Sequence, residues 1–327
     1  MNSIIAIYIF IIGLCIGSFL NVVILRGLSG ENFGFARSKC PKCGNQLKWY
    51  MNIPLISYIF LKGKCAFCNS PISLQYPIVE LLTGVLYLAS YFAFGLSFKT
   101  IFICLFLSLF IALSVTDILE TVIIDYHAYI LFAFALIYAF FGLNDFSLVQ
   151  AVIGGIIGFI LFEILARAGY LIANYRIFGE GDSLIALGLG AIFGIKNFLI
   201  IAMLSIIIQS LSAIPVLIKN SFNGGNKRLG FSYLIVLISL IFVFGVNYFN
   251  LIKNNLTYLG VIILITTALL WSMKNILNSV KNKKELDYNE AKQKFSLLPF
   301  GPAMIIAAII GLFFMEGIKT IIKTFLF

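Results

Sequence analysis

Charge is scarce in this sequence: Asp, Glu, Lys and Arg together supply 11% of its 327 residues, while hydrophobic residues supply 61%. Soluble domains carry about a quarter charged residues, so a soluble globular protein is excluded and a multi-span membrane protein is implied. A small-residue cleavage site is missing after the first apolar run, Ile4 to Leu25. That run is also longer than the hydrophobic region of a signal peptide, so it reads as a retained first span. Acidic residues are few, 13 against 23 basic, which gives a net charge of +10. In a soluble chain that balance would suggest nucleic acid, but here its meaning depends on where the charges fall. Histidine occurs once, and His127, at the start of an apolar run, reads as an interface residue rather than a metal ligand or general base. No inverted repeat is visible, which counts against a proton-coupled transporter.

Long hydrophobic runs are what the chain has in abundance. A bilayer core of about 30 Å needs about 20 helical residues. By that measure about ten segments qualify, near residues 4–25, 76–96, 99–116, 127–142, 148–172, 183–195, 197–218, 231–249, 257–273 and 300–318. Lys99 and Lys196 alone separate neighbouring runs. The expected fold is an all-α polytopic membrane protein with about eight to ten transmembrane helices and a small cytoplasmic tetracysteine module resembling a zinc ribbon. With the amino terminus outside, 18 of the 23 basic residues fall in connections on the cytoplasmic side. This bias is topological and needs no nucleic-acid partner. It places both termini outside in a ten-span arrangement.

The loop from Arg26 to Gln75 holds Cys40-Pro-Lys-Cys43 and Cys65-Ala-Phe-Cys68, a C-x2-C-x21-C-x2-C array. Four thiolates on two tight knuckles suit tetrahedral zinc, which takes sulfur ligands at about 2.3 Å. Two disulfides are disfavoured in the cytoplasm, and the paired spacing disfavours four unrelated cysteines. So short a loop has little core of its own, and bound metal would supply folding free energy. Cys15 and Cys104 lie inside apolar runs and read as small buried hydrophobes.

Carboxylates at span ends are costly and are read as functional. Asp182 closes Gly179-Glu-Gly181-Asp182, and Asp117 ends an apolar run sixty-five positions upstream. Both fall at cytoplasmic span ends in the expected topology. Two carboxylates that share a proton offer a base for water and an acid for a leaving amine, because like charges at close range do not both ionise. The glycines of the motif would let a substrate backbone approach Asp182. Asp125 is the acid that competes with Asp117 for the catalytic role, while Glu120 and Glu180 are loop acids near the pair. Glu80, about one turn inside the second span, either supports the site or pairs at the interface. Glu163 and Arg167 read as an i, i+4 helix pair. Gly154-Gly155-Ile-Ile-Gly158 and Gly188-Leu-Gly190 read as helix-packing faces.

Several motifs together resemble the type IV prepilin peptidase family along most of the chain. They are Gly13-Leu-Cys-Ile-Gly17-Ser-Phe-Leu-Asn21, Cys40-Pro-Lys-Cys43, Trp49 to Tyr58, Gly63-Lys-Cys65, Tyr76-Pro-Ile-Val-Glu80-Leu-Leu-Thr-Gly84, Gly179-Glu-Gly-Asp182 and Pro299-Phe-Gly-Pro302. The resemblance implies a bifunctional enzyme of the bacterial inner membrane with its active site at the cytoplasmic face. Such an enzyme cleaves type IV prepilins and related pseudopilins after the glycine that precedes the mature helix. It then methylates the new amino terminus with S-adenosylmethionine. By motif position the catalytic pair is Asp117 and Asp182, with Gly179, Gly181, Asp125 and Glu80 in support. The resemblance links Cys40, Cys43, Cys65 and Cys68 to zinc and to methylation.

Two departures stand out. Ile124 occupies the position before Asp125 where the family usually has proline, and residues 226–298 look like an insertion with two further hydrophobic segments. The expected organisation is a first helix over 1–25, the tetracysteine domain over 26–75 and a catalytic membrane domain over 76–225. The insertion follows over 226–298, and the last helix with its PFGP motif over 299–327. The competing expectations are a peptidase without methyltransferase activity, a proton-coupled transporter, and a catalytically silent assembly factor.

Overall fold

Residues 2–30, 38–173, 179–223, 231–232, 234–235 and 299–326 are described by a computed structural model of the chain. Phe178 and the expected insertion at 226–298 lie outside the described residues, apart from four positions near its start. The same holds for the expected spans at 231–249 and 257–273.

The described residues are almost wholly helical, with α1 over Asn2–Ser29, α2 over Ile56–Phe60, α3 over Gln75–Phe94 and α4 over Phe98–Glu120. Then come α5 over Asp125–Phe140, α6 over Leu148–Ala173, α7 over Glu180–Asn223 and α8 over Gly301–Leu326. Six of these are long and apolar enough to cross a membrane, and α5 is a shorter apolar helix. The protein is thus an all-α polytopic membrane protein.

Element ends follow from local chemistry. Gly95 ends α3 at φ 68°, and Ser97 caps α4 by accepting from the Thr100 N–H at 3.2 Å. This turn, rather than Lys99, separates the second and third spans. Ser147 and Gln150 form a reciprocal capping box at the start of α6, with bonds of 3.0 and 3.3 Å. Within α7 the backbone leaves the helix at Gly194, where φ is 66° and ψ 168°. That conformation favours glycine. It divides α7 where the sequence implied two spans, so the two expected runs at 183–195 and 197–218 are continuous except for one residue.

Small residues set the helix spacing. A Cβ at Gly13 would lie 2.7 Å from the Gly84 Cα, and one at Gly17 would lie 2.7 Å from the Glu80 Cα. Backbone therefore meets backbone between α1 and α3. On α6, Gly154 and Gly158 lie against the backbone of Gly190 and Ala186 on α7. Leu20, Ile24, Val79, Ile111 and Ala112 form a buried cluster between α1, α3 and α4. The chain divides into two compact units. The first comprises Met1–Ile164, Phe178–Ala202 and Pro299–Phe327, and the second Leu165–Ile177 and Met203–Leu298. Both candidate sites lie in the first.

Candidate active site and metal centre

The first acidic motif begins on the last turn of α4. Asp117 is 5% exposed, and its Oδ2 accepts from the Gly301 N–H at 3.0 Å. Its own carbonyl accepts from Thr121, which terminates the helix in the left-handed region. The chain then runs through Ile123 and Ile124 to α5. Ile124 has φ −78°, inside the range that proline enforces, so the loop keeps the geometry expected of the usual proline without the ring.

The second motif opens α7. Asp182, also 5% exposed, accepts the Gly179 N–H on Oδ2 at 2.9 Å. Gly179 precedes the first helical residue, Glu180, so Asp182 occupies the third helical position and bonds back to the cap. This is half of a capping box, at the helix end that favours negative charge. Each of the two buried aspartates thus has one oxygen pinned by a backbone amide.

Two glycines bring these motifs together. The Ile123 side chain packs on Gly181, where any Cβ would overlap it. Gly181 is therefore small to admit Ile123, a more specific reason than the substrate access expected from the sequence. Gly301 is pressed against the Asp117 carboxylate, and a Cβ there would also lie 3.4 Å from Ile185, one turn beyond Asp182. The α4–α5 connection, the PFGP turn and the start of α7 consequently share one locality. Phe300 of the same turn meets Phe162 of α6 at 5.9 Å between ring centroids, and Phe162 meets Phe198 at 6.2 Å.

The supporting residues separate. Asp125 is exposed at the start of α5 while Asp117 is buried. Glu80 is buried and accepts the Leu55 N–H at 2.8 Å, tying α3 to the segment between the two cysteine pairs. Its partners are that loop amide and the Ser18 side chain of α1, neither of them an aspartate of the site. Glu163 accepts a hydrogen bond from Ser183 at 3.2 Å, immediately beside Asp182. This contact is not legible along the chain, where the i, i+4 pattern with Arg167 already accounts for the charge. His127, in the first turn of α5, is 3% exposed, and among the described residues its ring nitrogens have no hydrogen-bond partner. Gly27 of α1 admits it by lying against the Ile124–His127 segment.

The tetracysteine module repeats one local structure. In the first knuckle the Cys40 N–H bonds Asn45 O at 2.9 Å and Gly44 N–H bonds Cys40 O at 2.9 Å; in the second, Cys65 N–H bonds Ser70 O at 2.8 Å and Asn69 N–H bonds Cys65 O at 2.9 Å. Gly44 and Asn69 take the equivalent positive-φ positions, at 72° and 55°. Short antiparallel bridges, Lys39 with Gln46 and Lys64 with Pro71, close the two turns. All four sulfurs lie within 4.8 Å of one another, and Cys40 Sγ is 3.9 Å from Cys68 Sγ. A tetrahedron with metal–sulfur bonds of about 2.3 Å has sulfurs about 3.8 Å apart, so the cluster fits a tetrahedral metal ion. Backbone amides of Cys43 and Lys42 lower the Cys40 thiol to about 6. The Asn45 amide acts in the same sense on Cys43, but burial and the neighbouring thiols push that group up to about 11.

Residues 11–94 match the family model described as the Bacterial Peptidase A24 N-terminal domain, and residues 104–214 match the Type IV leader peptidase family. A prepilin leader peptidase/N-methyltransferase of Myxococcus xanthus is 35% identical over 192 residues, covering 57% of this chain and 55% of the relative. Proteins of the same description from Neisseria gonorrhoeae and Vibrio cholerae are 30% and 32% identical. Those alignments cover 62% and 61% of this chain, and 79% and 81% of the relatives. No solved structure matches the chain. With both family models matched in chain order and about four fifths of two relatives covered, the chain belongs to the type IV leader peptidase family.

Proposed function

We propose that this protein is an intramembrane aspartic peptidase that removes the leader of type IV prepilins or pseudopilins, using Asp117 and Asp182, and then methylates the exposed amino terminus. The observation that carries the peptidase reading is the packing of Ile123 on Gly181, together with the contacts of Gly301 with Asp117 and Ile185. These contacts join the two acidic motifs in a site whose carboxylates are both buried. One carboxylate takes a proton from water as oxygen attacks the scissile carbonyl, and the other gives a proton to the departing amine.

The same reading places the active site at the cytoplasmic face of the bacterial inner membrane. The four cysteines would hold zinc, whose role there is structural because it fixes two knuckles in one geometry. S-adenosylmethionine would supply the methyl group. Glu80 supports this arm by fixing Leu55, and so the module, to α3. Residues 26–75 form the methylation-associated domain in this assignment, 76–225 the catalytic domain, and 226–298 an insertion. Family membership leaves no place for the transporter reading.

The test is mass spectrometry of a co-expressed prepilin, with the intact protein and with Asp182→Asn. Loss of the leader plus the mass of one methyl group with the intact protein, and neither with the variant, is the expected result. Cleavage without methylation would reduce the protein to a peptidase. Uncleaved prepilin in both samples would defeat the reading.

A further inference from the structure

The tetracysteine module carries an exposed surface apart from its four sulfurs. From Asn32 to Val79 the sequence has six basic residues, Arg37, Lys39, Lys42, Lys48, Lys62 and Lys64, and no acidic one. The five lysines are exposed. Between them stand large apolar side chains that are also open: Trp49 is 80% exposed, Ile59 72% and Phe60 81%. Exposed aromatics on a segment that is not itself a span mark an interaction surface, and their combination with lysine is that of a segment lying in a membrane interface.

The depth of this segment is set by Glu80. The Leu55 N–H reaches the Glu80 carboxylate at 2.8 Å. Glu80 stands five residues into α3, which begins at Gln75, or about 7.5 Å along the helix axis. The bond therefore holds Leu55 level with the opening turns of a membrane span. On either side of Leu55 lie a single 3-10 turn, Trp49–Asn52, and α2, Ile56–Phe60. Their exposed rings stand where tryptophan and other amphipathic aromatics meet headgroups. Lys48 and Lys62 flank the segment with the charge that anionic headgroups attract.

We propose that the segment from Trp49 to Phe60, with Lys48 and Lys62 beside it, docks on the anionic phospholipid surface of the membrane that α1 and α3 cross. The two cysteine knuckles are thereby held close against that face. The inference is independent of the proposed chemistry, since it rests on charge, exposure and depth alone.

Trp49 and Trp271 are the two tryptophans of the chain, so Trp271→Phe in the full-length protein leaves Trp49 as the reporter. The variant is placed in phosphatidylcholine nanodiscs with a fixed fraction of phosphatidylglycerol, one or other lipid being brominated near its headgroup. Brominated phosphatidylglycerol is expected to quench Trp49 about twofold more than brominated phosphatidylcholine at equal mole fraction. The preference should vanish near about 1 M salt, where the Debye length is about 3 Å. It should also vanish in Lys48→Gln/Lys62→Gln, with retained metal showing that the module is still folded. Equal quenching by the two lipids, or none by either, overturns the proposal. Relief of quenching on adding a prepilin peptide also overturns it, and assigns the surface to that peptide.

Discussion

The two candidate sites of this protein draw on the chain in opposite ways. The four sulfurs of the candidate metal centre come from one continuous stretch, Cys40 to Cys68, and each knuckle closes through its own backbone bonds. The aspartate site gathers groups from α4, α7 and the PFGP turn, and its bond from Gly301 to Asp117 spans 184 positions. A local site can be assembled by turns and a metal. A long-range site in a membrane must be assembled by packing, and here glycines do it: Gly181 admits Ile123, Gly301 admits the Asp117 carboxylate, and Gly154 and Gly158 admit the backbone of α7. The first is therefore vulnerable in its ligands and the second in its spacing.

The sharpest way to separate the two is to neutralise the pair. Asp182→Asn should lower prepilin cleavage by at least about 10³-fold, as expected for loss of general acid–base chemistry, while metal content stays unchanged. Adding Asp117→Asn should cost little more, because the acids act as a unit. A steep further loss in the double variant would show independent roles.

Spacing comes next. Gly301→Ala puts a methyl group against the Asp117 carboxylate, and displacement on the order of 1 Å should lower cleavage about 10²-fold without changing the metal. Wild-type turnover in that variant would mean that the PFGP turn is not part of the site.

A smaller effect is expected at Glu163. Replacing it with Gln keeps an acceptor for Ser183, the residue after Asp182, but removes the carboxylate from that bond, so the turnover number should fall about tenfold with little change in KM and an altered pH profile. Ser183→Ala combined with Glu163→Gln should be less than additive, since both changes act on one bond. Additive losses would separate them.

The smallest effect on cleavage should come from the other site. Removing the metal with a chelator should leave cleavage within about threefold while abolishing methylation, and Cys40→Ser should do the same through lost metal affinity. Loss of cleavage on chelation would erase the distinction, and would show that the module organises the aspartates as well.

Much of this was legible in the sequence because the signals are short-range or carry a strong solvation cost. The C-x2-C pairs, the buried acids at span ends and the apolar runs all depend on neighbours along the chain. The break between the two halves of α7 was visible as a change near Lys196, although Gly194 makes it. What was not legible depends on partners far away. Nothing beside Gly181 announces that Ile123 will fill its space, and nothing near Glu80 indicates Leu55. His127 stands at the start of its own helix, and nothing beside it in the sequence indicates that α1 will cover it through Gly27. Glu163 is the opposite case, since Arg167 four residues on is a satisfactory local partner and its bond with Ser183 joins residues twenty positions apart.

In the proposed site Asp117, and not Asp125, completes the pair with Asp182. The direct measurement is the cleavage rate of a purified prepilin by Asp117→Asn and Asp125→Asn side by side, with metal content as the control for folding. The buried, amide-pinned Asp117 should be indispensable, and the exposed Asp125 should retain cleavage within about tenfold of the intact protein. Abolished cleavage in Asp125→Asn with activity kept in Asp117→Asn would contradict the site described here.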